Sequence, residues 1–157
     1  MKMRLALCFV ALSLYGCNSP APSVTSDQVQ QFVRDYAAAS NNADATRIMS
    51  MVLHEANASS ISGGNINLGW DAIRTSMEAG LVEQRKGKIE LGTVDVTLLS
   101  PEAAVAVGTL NVRGIHHVGN MIVDNLPASF TVVVKRTPEG LRLVHEHYSV
   151  RATLASK

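Results

Sequence analysis

The chain is poor in cysteine, poor in aromatic residues and almost balanced in charge, and each shortage excludes a class of protein. Both cysteines, Cys8 and Cys17, fall in the first 17 residues, so the remaining 140 carry no thiol for a disulfide or a thiolate metal site. Three Phe, three Tyr and one Trp are too few for a base-stacking platform. Fourteen Lys and Arg against thirteen Asp and Glu give a net charge of +1, which offers no electrostatic footprint for nucleic acid. The apolar run Leu5–Leu14, rising roughly 1.5 Å per residue as a helix, reaches only about half of a ~30 Å hydrocarbon core. What is present is 157 residues, 46% of them apolar and 17% charged, a composition that folds and a length suited to one domain.

The N-terminus follows its own logic. Lys2 and Arg4 precede the apolar run and no acid occurs before Asp27, which is the layout of an export signal. Leu14-Tyr15-Gly16-Cys17 resembles a bacterial lipoprotein processing box. That resemblance implies a signal peptide over 1–16, lipid attachment at Cys17 and anchoring to a membrane without spanning it. Asn18 after the cysteine implies the outer membrane, with the body facing the periplasm. Loss of Lys2 and Arg4 would shift the net charge from +1 to −1, leaving no excess of cations for anionic lipid. Residues 17–26, with two prolines and several Ser and Thr, read as a tether, and 152–157 as a short tail.

Periodicity organises the rest. Val29, Phe32, Val33, Tyr36 and Ala37 fall at helical spacing behind a Thr25/Gln28 capping box. Asn41-Asn42 ends that helix, Asp44 caps a second with Ala45, Ile48, Met51 and Val52 on one stripe, and Trp70, Ile73, Met77 and Leu81 mark a third. Ser59–Gly64 reads as a short strand running into a loop. From Lys88 the period changes to two, with a bulge expected near Gly92 because Ile89 and Leu91 sit on the opposite parity from Val94, Val96 and Leu98. Strands follow at Ala104–Arg113, Phe130–Arg136 and Leu141–Val150, the last two joined by Thr137-Pro138-Glu139-Gly140. Helices followed by antiparallel strands predict an α+β fold with the helices on one face of a curved sheet.

FVRDYAAASNNADATRIMSM, GWDAIRTSM and VVVKRTPEGLRLVHEHYSV, in that order, resemble the SnoaL-like branch of the nuclear transport factor two-like superfamily over residues 27–151. The resemblance implies a cystatin-like cone of three N-terminal helices on a bent, mainly antiparallel sheet, a pocket between them, and a homodimer. Tyr36 matches the hydrogen-bonding tyrosine of ketosteroid isomerases in that superfamily. The matching general-base position falls near Ser60 and the second carboxylate near Ala128-Ser129-Phe130, where no acid stands, which argues against isomerase chemistry.

Strict alternation on the closing strand places His145 and His147 on one face with Leu141, Leu143 and Ser149, leaving Arg142, Glu146 and Tyr148 on the other. The histidine face is expected inward, where imidazoles can hold a polar group or act as acid and base, although two half-buried structural histidines fit the same pattern. Two histidines alone do not make a zinc site, and His54 and the Gly-bounded His116-His117 cannot be placed beside them, so no metal or other cofactor is expected. Trp70 is expected at the pocket rim or in the core. The expected ligand residues are therefore Tyr36, Trp70, His145 and His147. Three readings follow: a lipid-anchored protein binding a small apolar or mixed-polarity molecule, which needs the fewest assumptions; an isomerase, cyclase or dehydratase using the histidine pair; and a dimeric assembly module.

Overall fold

The computed structural model describes residues 23–84, 87–118 and 121–150. The expected signal peptide, Cys17 and most of the tether lie outside the described residues. The element order is α1 (Ser26–Asn41), α2 (Ala45–Met51), β1 (Ser59–Ser62), β2 (Asn65–Leu68), α3 (Trp70–Gln84), β3 (Gly87–Leu98), β4 (Ala103–Val118), β5 (Met121–Thr137) and β6 (Gly140–Val150). Three helices pack on a curved six-stranded sheet of order β2-β1-β6-β5-β4-β3, antiparallel except where β1 runs parallel to β6. This is the expected α+β cone.

Local chemistry sets the helix ends. Thr25 and Gln28 form the reciprocal capping box of α1, and the Asp44 carboxylate accepts the Arg47 N–H at the head of α2. The apolar stripe of α1, Val29, Phe32, Val33, Tyr36 and Ala37, is buried against the inner sheet face, where Ala104, Ala106, Leu110, Phe130, Val132, Val134 and Leu143 complete the core. Alanines on β4 let the sheet approach the helices closely. Gly108 instead relieves crowding within the sheet, because a Cβ there would collide with the Thr93 carbonyl on β3 and the Phe130 ring on β5.

Three departures from the sequence reading matter. Residues 23–25 are not free tether, since Val24 is buried and its N–H donates to the Pro101 carbonyl at 2.8 Å. The loop after Ser59–Ser62 turns at Gly63-Gly64, both at positive φ, into the additional edge strand β2. The β3 bulge occurs where expected, between Leu91 and Val94, but a second interrupts β6, where Val133 pairs with His145 and Val134 with Leu143. Val144 is the extra residue of that second bulge.

Candidate functional site

The bulge decides what faces the cone interior. Leu143 before it and Glu146 after it are both 1% exposed, three residues apart where an unbroken strand would alternate by two. Glu146 and Tyr148 therefore point inward, while His145 and His147 point to the outer face, which corrects the inward placement expected for the pair. His145 Nδ1 meets Ser59 Oγ at 2.8 Å, and exposed His147 Nε2 meets Ser149 Oγ at 3.3 Å. Neither imidazole lines the cavity.

The cavity holds about 350 Å³ and lies between α1, α3, the β1–β2 hairpin and the far ends of β4, β5 and β6. Its polar floor is Tyr36 from α1, Ser60 from β1 and Glu146 and Tyr148 from β6; Ile73, Met77, Leu110 and Ala128 supply apolar walls, and Ser62, Asn65 and Asn67 a polar lip. Each floor residue has a structural reason for its place. Tyr36 sits on the buried stripe of α1 with its ring stacked 6.4 Å from Phe32, Tyr148 tilts against Phe130, and Ser60 is the register partner of Glu146 across the parallel pair.

Burial pushes the Glu146 carboxyl above its ordinary range, and the hydroxyls of Ser60, Tyr36 and Tyr148 only partly offset this. Burial also drives the Tyr36 and Tyr148 phenols well above their ordinary value, and the nearby Glu146 carboxylate adds to it. Tyr36 Oη and Glu146 Oε2 are both buried and act on each other's titration, yet neither has a partner at full hydrogen-bond geometry. The cluster is thus a set of neutral donors around one protonatable carboxyl, held in low dielectric. Such a set can donate to a ligand oxygen, or exchange a proton through the carboxyl.

Tyr36 lines this cavity. Ser60 is also there, and the acid missing from its position arrives from the adjacent strand instead. Trp70 belongs elsewhere: it lines an open groove of about 810 Å³ between α2, the head of α3 and the β5–β6 turn. There its ring lies 4.4 Å from His54 and 5.5 Å from the Arg74 guanidinium, and its Nε1 donates to the Met49 carbonyl. Among the described residues no three of His, Cys, Asp and Glu converge as a metal site. The signal for Glu146 was present in the apolar doublet Leu143-Val144, which strict alternation does not accommodate.

The model of the SnoaL-like domain matches residues 29–153. The chain belongs to the SnoaL-like family. Solved structures similar to this SnoaL-like chain include a candidate dehydratase of the nuclear transport factor two-like family from Streptomyces avermitilis, 20% identical with a TM-score of 0.70, covering 81% of this chain and 96% of that one. A protein with a cystatin-like fold from Caulobacter vibrioides is 20% identical, TM-score 0.69, covering 81% and 89%. A candidate ketosteroid isomerase from Shewanella frigidimarina is 15% identical, TM-score 0.65, covering 79% and 96%. At these identities the likeness establishes the shared fold. No curated protein matches the sequence.

Proposed function

We propose that this SnoaL-like protein is exported, lipid-anchored through Cys17 on the periplasmic side of the outer membrane, and binds a small molecule of mixed polarity in the inner cavity. The observation that carries the binding reading is the pair Tyr36 Oη and Glu146 Oε2, buried and without partners at full hydrogen-bond geometry, at the floor of a cavity with apolar walls. Leaving a buried polar group unsatisfied costs about 1–3 kcal/mol, and a ligand that supplies the missing partners recovers that cost on binding. The complementary ligand has an apolar body and an oxygen acceptor, such as a carbonyl, at its inner end. A homodimer through the outer sheet face belongs to the same proposal, supported by Val107, 45% exposed, and by its partly exposed neighbours Val105 and Val133.

Glu146 favours a second reading. A carboxyl raised by burial beside two phenols is suited to proton transfer, so isomerase, cyclase or dehydratase chemistry would run through Glu146 rather than the histidines. Native mass spectrometry of the protein from its envelope tests binding first. A retained small molecule, displaced in Tyr36→Phe and Glu146→Gln, is the expected result, and an unliganded mass across all three overturns the reading. With the ligand identified, its conversion by wild type but not by Glu146→Gln selects the enzyme over the carrier.

A further inference from the structure

We infer that the end of the sheet carrying the β3–β4 turn rests on the bilayer surface, so that the cavity mouth faces away from the membrane and receives its ligand from the aqueous side. This inference rests on lipid anchoring at Cys17 and states how the anchored body stands. The point where the chain leaves the body is fixed: Val24 donates to Pro101 in the β3–β4 turn, and Arg136 Nη2 reaches the Ser23 carbonyl at 3.5 Å. Five residues lie between Cys17 and Ser23, and the six steps at about 3.6 Å each span at most ~22 Å. The turn is therefore held within a short reach of the lipid.

That turn is chemically suited to the contact. Leu98 and Leu99 are 49% and 59% exposed beside the docked Val24 segment, and Ser100 Oγ, accepting the N–H groups of Glu102 and Ala103, holds the turn in shape. Lys135, Arg136 and Arg142 stand on the neighbouring β5–β6 hairpin against Glu102 and Glu139 at the same end, a balance of only +1, so the leucines rather than net charge make the contact. The cavity lies farther along the same strands, with its polar lip on the β1–β2 hairpin. From Ala103 to Val112, which lines the cavity, β4 extends about 30 Å. Ile66 and Leu68 are also exposed, but on the edge strand β2, away from the chain exit.

The test uses full-length protein, acylated in a Gram-negative host and reconstituted in phosphatidylethanolamine–phosphatidylglycerol vesicles, with one fluorophore-labelled cysteine at Leu99→Cys, Leu98→Cys, Leu68→Cys or Asn65→Cys. Spin-labelled lipid should quench the labels at 98 and 99 several-fold more than those at 65 and 68, with little dependence on the anionic lipid fraction. Equal quenching at all four sites, or stronger quenching at 65 or 68, overturns the orientation. Intact mass reads the anchor separately: absence of the acyl mass on Cys17 overturns the anchoring reading and this inference with it, whereas acylated protein with labels 98 and 99 in water overturns the orientation alone.

Discussion

The two faces of β6 carry residues of nearly the same polarity and meet opposite fates. On the inner face Glu146 and Tyr148 are shut into a cavity where burial shifts both titrations and leaves a carboxylate oxygen unpartnered. On the outer face His145 and His147, one residue away on either side of Glu146, hydrogen-bond to Ser59 at 2.8 Å and Ser149 at 3.3 Å. The same kind of side chain is thus a reactive group or a surface group according to which way one extra residue, Val144, turns the strand. Chemistry in this fold is assigned by the register of the ladder, and residue type alone does not reveal it.

The hinge of that comparison is Leu143, the last inward residue before the bulge and 1% exposed. Truncation to alanine is expected to have the largest effect, about 2–5 kcal/mol of destabilisation, because a fully buried leucine leaves a cavity that the surrounding sheet fills only in part. Urea titration followed by circular dichroism measures it. A loss below about 1 kcal/mol would mean that the inner face is not packed as described.

Glu146→Gln sharpens the difference between the faces through pH. Burial raises the folded-state pKa of Glu146, so the folded chain holds this proton more tightly than the unfolded chain does. Its stabilising contribution is full below the unfolded value of about 4.3 and is lost as pH rises through the raised folded value. Wild type should therefore lose stability across that window. The glutamine variant, which cannot titrate, should lose this part of the slope, and parallel profiles of the two proteins would show that Glu146 is not buried as a carboxyl.

Much of the fold was legible because its signals are local and redundant. The stripe Val29–Ala37, the Thr25/Gln28 box, the Asp44 cap and the bulge near Gly92 each declare themselves within a few residues. The site was only half legible. Tyr36 rides on a helix whose inward stripe is unambiguous, so its place followed from spacing. Glu146 rides on a strand whose parity depends on a bulge opposite Val133 and Val134, and a run of three valines on β5 offers the same apolar surface to either register. Trp70 shows another limit: apolar periodicity put it at the head of α3, but which of two concavities that helix borders is a matter of tertiary packing.

Tyr36→Phe separates stability from binding on the inner face. Its hydroxyl has no partner at full hydrogen-bond geometry and acts on the Glu146 carboxyl, so the variant should stay within about 1 kcal/mol of wild type. Retention of the cavity ligand should nevertheless fall. A thermal melt paired with native mass spectrometry reads both, and a variant destabilised by more than about 2 kcal/mol would show that the hydroxyl closes a strong hydrogen bond in the folded protein.

The smallest effect belongs to the outer face. His147 is exposed and its one bond, to Ser149, spans neighbouring positions on the same surface, so His147→Ala should change stability by no more than about 0.5 kcal/mol. Its value lies in what it leaves alone. If the bulge turns β6 as described, ligand retention in the cavity is the same with and without this imidazole, while Glu146→Gln lowers it. A histidine variant that empties the cavity would mean that β6 follows unbroken alternation after all, with the imidazoles inside and the carboxyl in water.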